Sequence, residues 1–406
     1  MNQVQQILII GGGAAGIATA ASLRKRGRSL DIAIIEPADK HYYQPGWTTV
    51  GAGVFSKEKT CRDMTAIWPK GVKRIKGSVA TFEPEQNSVT LLDGTIIEYT
   101  TLVVAAGLKL DWDAVEGLSD SLGSNGVTSN YRYDLAPYTW KLVQEMKGKE
   151  AIFTQPPMPI KCAGAPQKAM YLSCDHWLKT SQLKDINVSF CNAGPVLFGC
   201  APYVPPLMKY ITKYEINLDF GQNLVKIDGS KKIAWFKISK EGSEPEVIER
   251  KFDMILVCPP QCAPDFIKSS PISNDAGWVD VHQATLQHTK YTNIFGLGDV
   301  TSTPNAKTVA AARKQAPIVA ANIIAQLSGK EPQPKYDGYG SCPLTVEKGK
   351  IILAEFGYGG KVMPTFPWDS TKPRRLAWFL KKSILPTVYW SLMLKGREWL
   401  TKSRGV

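Results

Sequence analysis

Four apolar residues, Ile7 to Ile10, run straight into Gly11-Gly12-Gly13-Ala14-Ala15-Gly16 and then a helix-forming stretch that reaches about Gly27. A buried strand that ends in a glycine turn and reverses into a helix opens a doubly wound α/β fold, so this feature constrains everything after it. Gly11 permits the tight turn, Gly13 lets backbone N–H groups approach a pyrophosphate, and Gly16 lets the helix lie close on the strand. With Ala14 and Ala15 they are candidate cofactor-binding positions. A second strand, Asp31 to Ile35, ends at Glu36, placed to accept hydrogen bonds from a ribose 2′-hydroxyl. These features call for a dinucleotide without separating NAD from FAD.

A chain of 406 residues, 44% of them hydrophobic, is long enough for two or three domains with buried cores. The net charge of +13 admits nucleic acid, anionic lipid or small anions as partners, and its location must decide among them. Eight scattered cysteines with no C-x-x-C pair do not form a disulfide framework. No run of 18 apolar residues is present, and MNQVQQ lacks the basic start of a leader. The expectation is a peripheral membrane protein on the cytoplasmic face of a bacterial inner membrane, with the mitochondrial inner membrane as the alternative.

Two later segments resemble flavoproteins built on two dinucleotide-binding folds. Leu102-Val103-Val104-Ala105-Ala106-Gly107 is similar to their strand and small-residue turn beside the flavin. Thr292 to Asp299, TNIFGLGD, is similar to their second FAD motif, whose final Asp binds the ribityl chain and precedes a helix, read here as Ala306 to Leu327. The resemblance implies FAD, with Ala106, Gly107, Gly298 and Asp299 at the cofactor. Lys307 and Lys314, at and inside that helix, are placed to steady an anionic reduced flavin and attract a small anionic substrate, unless they form an ordinary solvated face. The expected fold is α/β with two Rossmann-like domains and a C-terminal amphipathic, membrane-associating region. Residues 1–112 and 290–335 form the FAD domain, 113–289 the second, and 336–406 the quinone and membrane region.

In such proteins the middle of the chain carries a second glycine fingerprint for NAD(P)H. Ala151 to Thr154, Ala165 to Lys179 and Val188 to Cys191 supply strand, helix and strand, but the connecting loop reads QPPMPIKCAG. Its prolines lack N–H donors, and Asn192 and Ala193 stand where a ribose-binding acid belongs. A nicotinamide donor is therefore not expected.

PIKCAGAPQKAMYL around Cys162, GYGSCPL around Cys342, His41-Tyr42-Tyr43-Gln44-Pro45-Gly46 and NAGPVLFGCAPY closely resemble the sulfide:quinone oxidoreductases, particularly their mitochondrial-like branch with two active-site cysteines. The resemblance implies that hydrogen sulfide is oxidised at the two cysteines and that electrons pass through FAD to membrane quinone. It also implies that Cys162 forms the flavin-facing thiolate and Cys342 carries the persulfide; the residues alone leave that assignment open. Gln44 and Val79 are further cofactor-contact candidates. Some bacterial relatives use a third cysteine upstream of the first, but none lies between Cys61 and Cys162, which favours transfer of a single sulfur to sulfite, glutathione, coenzyme A or sulfide. Cys174, Cys191, Cys200, Cys258 and Cys262 are read as structural. The four histidines lack metal-ligand spacing, and no metal is expected.

The last 40 residues concentrate the excess charge: Lys372, Arg374, Arg375, Lys381, Lys382, Lys395, Arg397, Lys402 and Arg404, with aromatic residues interleaved. Leu376, Phe379, Leu380 and Ile384 repeat at helical spacing; after Pro386, Tyr389, Leu392, Met393 and Leu400 line one face of a second helix. This pattern suits anchoring on an anionic membrane surface rather than nucleic-acid binding, although a helix pair packed on the core explains it too. Phe356, Phe366, Trp378 and Trp390 are the expected quinone or membrane contacts. The rivals are an NADH:quinone oxidoreductase of the type II kind, the flavoprotein subunit of a flavocytochrome sulfide dehydrogenase, and a basic nucleic-acid-binding flavoprotein.

Overall fold

The computed structural model describes residues 4–238, 244, 246–333 and 335–401. β1 (Gln5–Ile10), α1 (Ala14–Arg26), β2 (Ile32–Ile35), β3 (Lys73–Ile75) and β4 (Ile96–Val104) begin the first sheet, with β3, β2, β1 and β4 side by side and parallel. Their apolar runs are buried on both faces, as a sheet covered by helices requires. The chain then leaves. β5 (Val127–Thr128), β6 (Glu150–Gln155), α2 (Ala165–Lys179), β7 (Asn187–Asn192), β8 (Asn217–Phe220) and β9 (Met254–Leu256) form a second parallel sheet in the order β5-β9-β6-β7-β8.

It returns as β10 (Ile294–Gly296), which adds to the first sheet beside β4, and as α3 (Val309–Leu327), which packs against α1. The hairpin β11 (Gly340–Glu347) and β12 (Lys350–Phe356) follows. α3 starts three residues later than the expected Ala306, because Thr308 caps it by accepting from the Ala311 N–H, leaving residues 306 and 307 in the preceding loop.

The tail corrects the sequence reading. Pro386 does not separate two helices: residues 375–395 are helical throughout, with π-type turns at Leu380–Ile384 and Val388–Leu392. Each wide turn rotates the face that follows, so a 3.6-residue period no longer marks one side. Tyr389, Trp390 and Met393 are buried against the first domain, while Leu376 and Phe379 are exposed. Leu400 lies beyond the helical stretch, and Lys402 and Arg404 lie outside the described residues. No helix among the described residues is long and apolar enough to cross a membrane.

Candidate active site

The carboxyl ends of β1, β4 and β10 meet at the glycine turn. Gly11 has φ +100, and a Cβ there would lie 2.6 Å from the Ala105 carbonyl oxygen, so only glycine lets β1 and β4 approach this closely. A Cβ on Gly298 would touch that of Ala15 at 3.1 Å, which sets the second motif against the first turn of α1. Gly13 caps α1 without a side-chain hydrogen bond, no acid occupies the helix's first turn, and open space lies over it. That is an anion-binding helix end in want of an anion. Glu36 closes the side, accepting from the Gly12 N–H at 2.6 Å and the Ala38 N–H at 2.7 Å.

Gln44, Asp299 and Lys307 border a cavity of about 240 Å³ together with Cys162. Lys307 Nζ donates to the carbonyls of Asp299 (2.7 Å) and Thr301 (3.0 Å); burial lowers its pKa to about 8, against the opposing pull of Asp299. Desolvation raises the Asp299 carboxyl, with Lys307 counteracting. Two cavity-wall residues, Asn130 and Trp47, bury side-chain polar atoms that no group among the described residues meets. A large polar ring system in the cavity would satisfy them, so the donor set fits a flavin dinucleotide.

The cysteines converge from opposite sides. The proline-rich loop after β6 carries Cys162 in a left-handed conformation (φ +53), its N–H bonded to the Lys307 carbonyl at 2.8 Å, while β11 carries Cys342. Their sulfurs lie 3.3 Å apart, and Lys168, one turn into α2, points its ammonium at Cys162 Sγ (3.0 Å) and Cys342 Sγ (3.8 Å). The hydrogen bond from Cys342 and then the Lys168 charge hold Cys162 well below an ordinary thiol. Cys342, donating that hydrogen bond from a buried position, is pushed up. Burial opposes the Lys168 ammonium, yet the two sulfurs hold it above its usual value. Gly164 keeps the approach open, since a Cβ there would lie 2.7 Å from Cys342 Sγ. The pair is thus polarised into a thiolate and a thiol.

The loop that follows β7 is tied to itself and to α2. Asn192 accepts from the Gly194 N–H and donates to the Val196 carbonyl, both at 2.9 Å, and Gln167 ties down the Leu197 carbonyl. Cys174, Cys191, Cys200 and Cys258 are buried, which raises their thiols and leaves them poor nucleophiles.

A sulfide:quinone oxidoreductase of Dictyostelium discoideum, named as mitochondrial, is 44% identical over 99% of this chain and 88% of its own length. The mitochondrial sulfide:quinone oxidoreductase of Mus musculus is 38% identical over 96% of this chain and 86% of its own length. The chain belongs to the sulfide:quinone oxidoreductase family. Residues 5–151 also match the family model described as pyridine nucleotide-disulphide oxidoreductase. The solved sulfide:quinone oxidoreductase of Aquifex aeolicus shares the fold, with a TM-score of 0.79 at 21% identity over 97% of this chain and 92% of that one. As a member of this family the protein is a flavin-dependent oxidoreductase, and the two-fold α/β architecture follows.

Against that background several expected sulfide:quinone oxidoreductase site residues stand apart from the cavity. Trp390 is only 4% exposed and sits under the Arg62 guanidinium at 4.3 Å, where it borders a separate pocket with Pro386 and Thr387. Trp378 packs against the Ile351, Leu353 and Ala377 cluster, and Phe356, on the opposite face of the β11–β12 hairpin, meets Phe198 edge-on. Val79 is buried at the start of a strand in the first core, where it pairs with Leu91. Lys314 pairs with Asp337 at 3.7 Å and covers the Tyr339 ring, away from the glycine turn. Phe366 alone of the four aromatic candidates borders the cavity, stacked on Trp368.

Sequence reasoning missed Lys168 and Lys381. Lys168 has a signal: a lysine inside the small-residue start of an otherwise buried helix. Lys381 has none, because it stands among eight basic neighbours and only the π-turn directs it inward, where it is 6% exposed and borders the cavity. Replacing Lys168 with methionine keeps the volume and removes the charge. One of the influences that hold Cys162 down is then gone and its pKa rises, so the rate of flavin reduction by sulfide should fall about 10²-fold and recover as pH rises. Stopped-flow absorbance across pH checks this.

Proposed function

We propose that this protein oxidises hydrogen sulfide at a Cys162–Cys342 redox centre and passes two electrons through FAD to a membrane quinone. The observation that carries the reading is the polarised sulfur pair beside Lys168, with Cys162 opening on the cavity that Gln44, Asp299 and Lys307 border. With the pair oxidised to a disulfide, HS⁻ attacks Cys342 Sγ; the Cys342–Cys162 S–S bond breaks, Cys342 keeps the persulfide and Cys162 leaves as the thiolate that Lys168 stabilises. FAD, when bound, accepts the electron pair and hands it to quinone. Gly11, Gly13, Ala14, Ala15 and Gly16 would hold its pyrophosphate, Glu36 its ribose, and Gly298 and Asp299 its ribityl chain.

The persulfide sulfur then goes to a small anionic acceptor such as sulfite. Burial, and then repulsion from Lys168, lowers Lys381 to about 7, so it is a cation below that pH and neutral above it. Thiosulfate, the product with sulfite, keeps its charge over this range. Its inhibition should weaken as pH rises through about 7 and lose that dependence in Lys381→Met, measured as an inhibition constant. Exposed Leu376 and Phe379 among Lys372, Arg375 and Lys382 support peripheral docking on an anionic membrane. The relatives' names favour the mitochondrial inner membrane over the bacterial cytoplasmic face. The three-part division, with 1–112 and 290–335 as the FAD domain, is supported by the pairing of β10 with β4.

Anaerobic absorbance tests the function: sulfide should bleach the flavin, NADH should not, and a soluble quinone should restore the colour. Rapid bleaching by NADH instead would move the protein to the NADH:quinone reductases.

A further inference from the structure

Side chains alternate across a strand, so a two-stranded hairpin has two faces of different content. On one face of β11–β12, Cys342, Leu344, Ile352 and Ala354 pack toward α2 and Lys168. On the other, Ser341, Pro343, Leu353 and Glu355 border the cavity beneath the C-terminal helical stretch, Ser341 and Glu355 being register partners. The hairpin thus buries Cys342 on one side and on the other adds a carboxyl group to the cavity that Cys162 and Lys168 also border.

Glu355 is 3% exposed, yet no lysine or arginine pairs with it among the described ion pairs. Its partners are neutral donors: the Tyr339 hydroxyl at 2.5 Å, the Thr365 hydroxyl, and the Thr365 N–H at 2.9 Å. Tyr339 borders the same cavity. From α3, Lys314 covers the Tyr339 ring and is paired with Asp337, while Arg313 borders the cavity and donates to the Trp399 carbonyl. Lys381 borders the cavity from the C-terminal stretch, and Tyr203 binds the Glu355 backbone from the other side. A buried acid with only neutral partners, open to a substrate cavity, can carry a proton.

We propose that Glu355, oriented by Tyr339 and Thr365, is the proton donor to the quinone, an assignment that rests on the function proposed above. Reducing a quinone to a quinol takes two electrons and two protons. The electrons are those released by sulfide oxidation, and one proton travels with the electron pair. For the other, the Glu355 O–H bond breaks as a quinone O–H bond forms. The carboxylate left behind is held by Tyr339 and Thr365 until solvent reprotonates it through the cavity's outer end, bordered by the half-exposed Trp399 and Leu400.

The test resolves the two half-reactions in full-length flavoprotein carrying E355Q, E355D or Y339F. In E355Q, bleaching by sulfide should stay within about twofold of wild type, while reoxidation by a soluble ubiquinone slows about 10²-fold and loses its pH dependence. E355D should recover part of the rate and the pH dependence, and Y339F should slow reoxidation less than E355Q does. A carboxylic C=O band present in the quinone-minus-quinol infrared difference spectrum should vanish in E355Q. Reoxidation of E355Q at the wild-type rate overturns the assignment, as does an equal loss in both half-reactions or a slowed reoxidation whose pH dependence is intact. A wild-type protein that sulfide cannot bleach overturns the function itself; a normal wild type beside an unimpaired E355Q overturns only the role of Glu355.

Discussion

Replacing Cys162 or Cys342 with serine should lower the rate at which sulfide reduces the flavin by about 10³-fold or more, because each change removes one end of the bridge that HS⁻ must open. The two variants should fall to the same floor, since the sulfurs act as a unit. They should differ in what remains. The Cys162→Ser protein keeps a buried Cys342 thiol whose hydrogen bond to a thiolate is gone, whereas the Cys342→Ser protein keeps Cys162 beside Lys168 at 3.0 Å, still charged and open to the cavity. Alkylation at neutral pH, followed by mass, should therefore label Cys342→Ser quickly and Cys162→Ser slowly. Equal labelling would contradict the polarisation of the pair.

Gly16→Ala should have the largest structural effect. A Cβ at position 16 would lie 1.9 Å from the Gly11 carbonyl oxygen, a contact with backbone that no side-chain rotation relieves. α1 must move off β1, at a cost of about 3 kcal/mol, and the turn that cradles the pyrophosphate is deformed with it. The purified protein should be colourless and melt earlier than wild-type apoprotein. Gly13→Ala is the control: nothing lies within 4 Å of its added Cβ, so the fold should keep its melting temperature while the methyl intrudes on the anion site. A yellow, stable Gly16→Ala protein would contradict the packing described.

The strand, glycine turn and helix at the start were legible because each rests on local chemistry: apolar run, Gly11, Gly16. The α2 helix was equally legible, starting at Ala165 beside Pro166 and ending at Lys179 as the sequence indicates. The tail was not. Its π-type turns break the period that sequence analysis depends on, sending Lys381 and Trp390 inward and leaving Leu376 and Phe379 outward. The start of α3 falls three residues later than read because Thr308 caps the helix, and the Lys307 carbonyl just ahead of the cap accepts from the Cys162 N–H, 145 positions away. Glu355 and Lys168 acquire their surroundings only when β11 pairs with β12 and α2 packs beneath them. The site's reactive sulfurs could be read from motifs, whereas the groups that tune them come from tertiary packing.

The C-terminal stretch closes on the first domain through contacts that span almost the whole chain. Tyr389 hydrogen-bonds His41 at 2.5 Å, whose other ring nitrogen meets the Gly12 carbonyl, and Glu398 takes both Ser22 and Arg26 of α1. These partners are separated by 348 and 376 residues. The first sheet also lacks β10 until residue 296 has been made. The glycine turn therefore acquires its full support only once residues up to 398 have been made, so cofactor loading follows synthesis of the C-terminal stretch. A frameshift or nick that removes only the last few dozen residues should act as a failure of maturation, yielding an empty and protease-sensitive protein rather than one that has merely lost its place on the membrane.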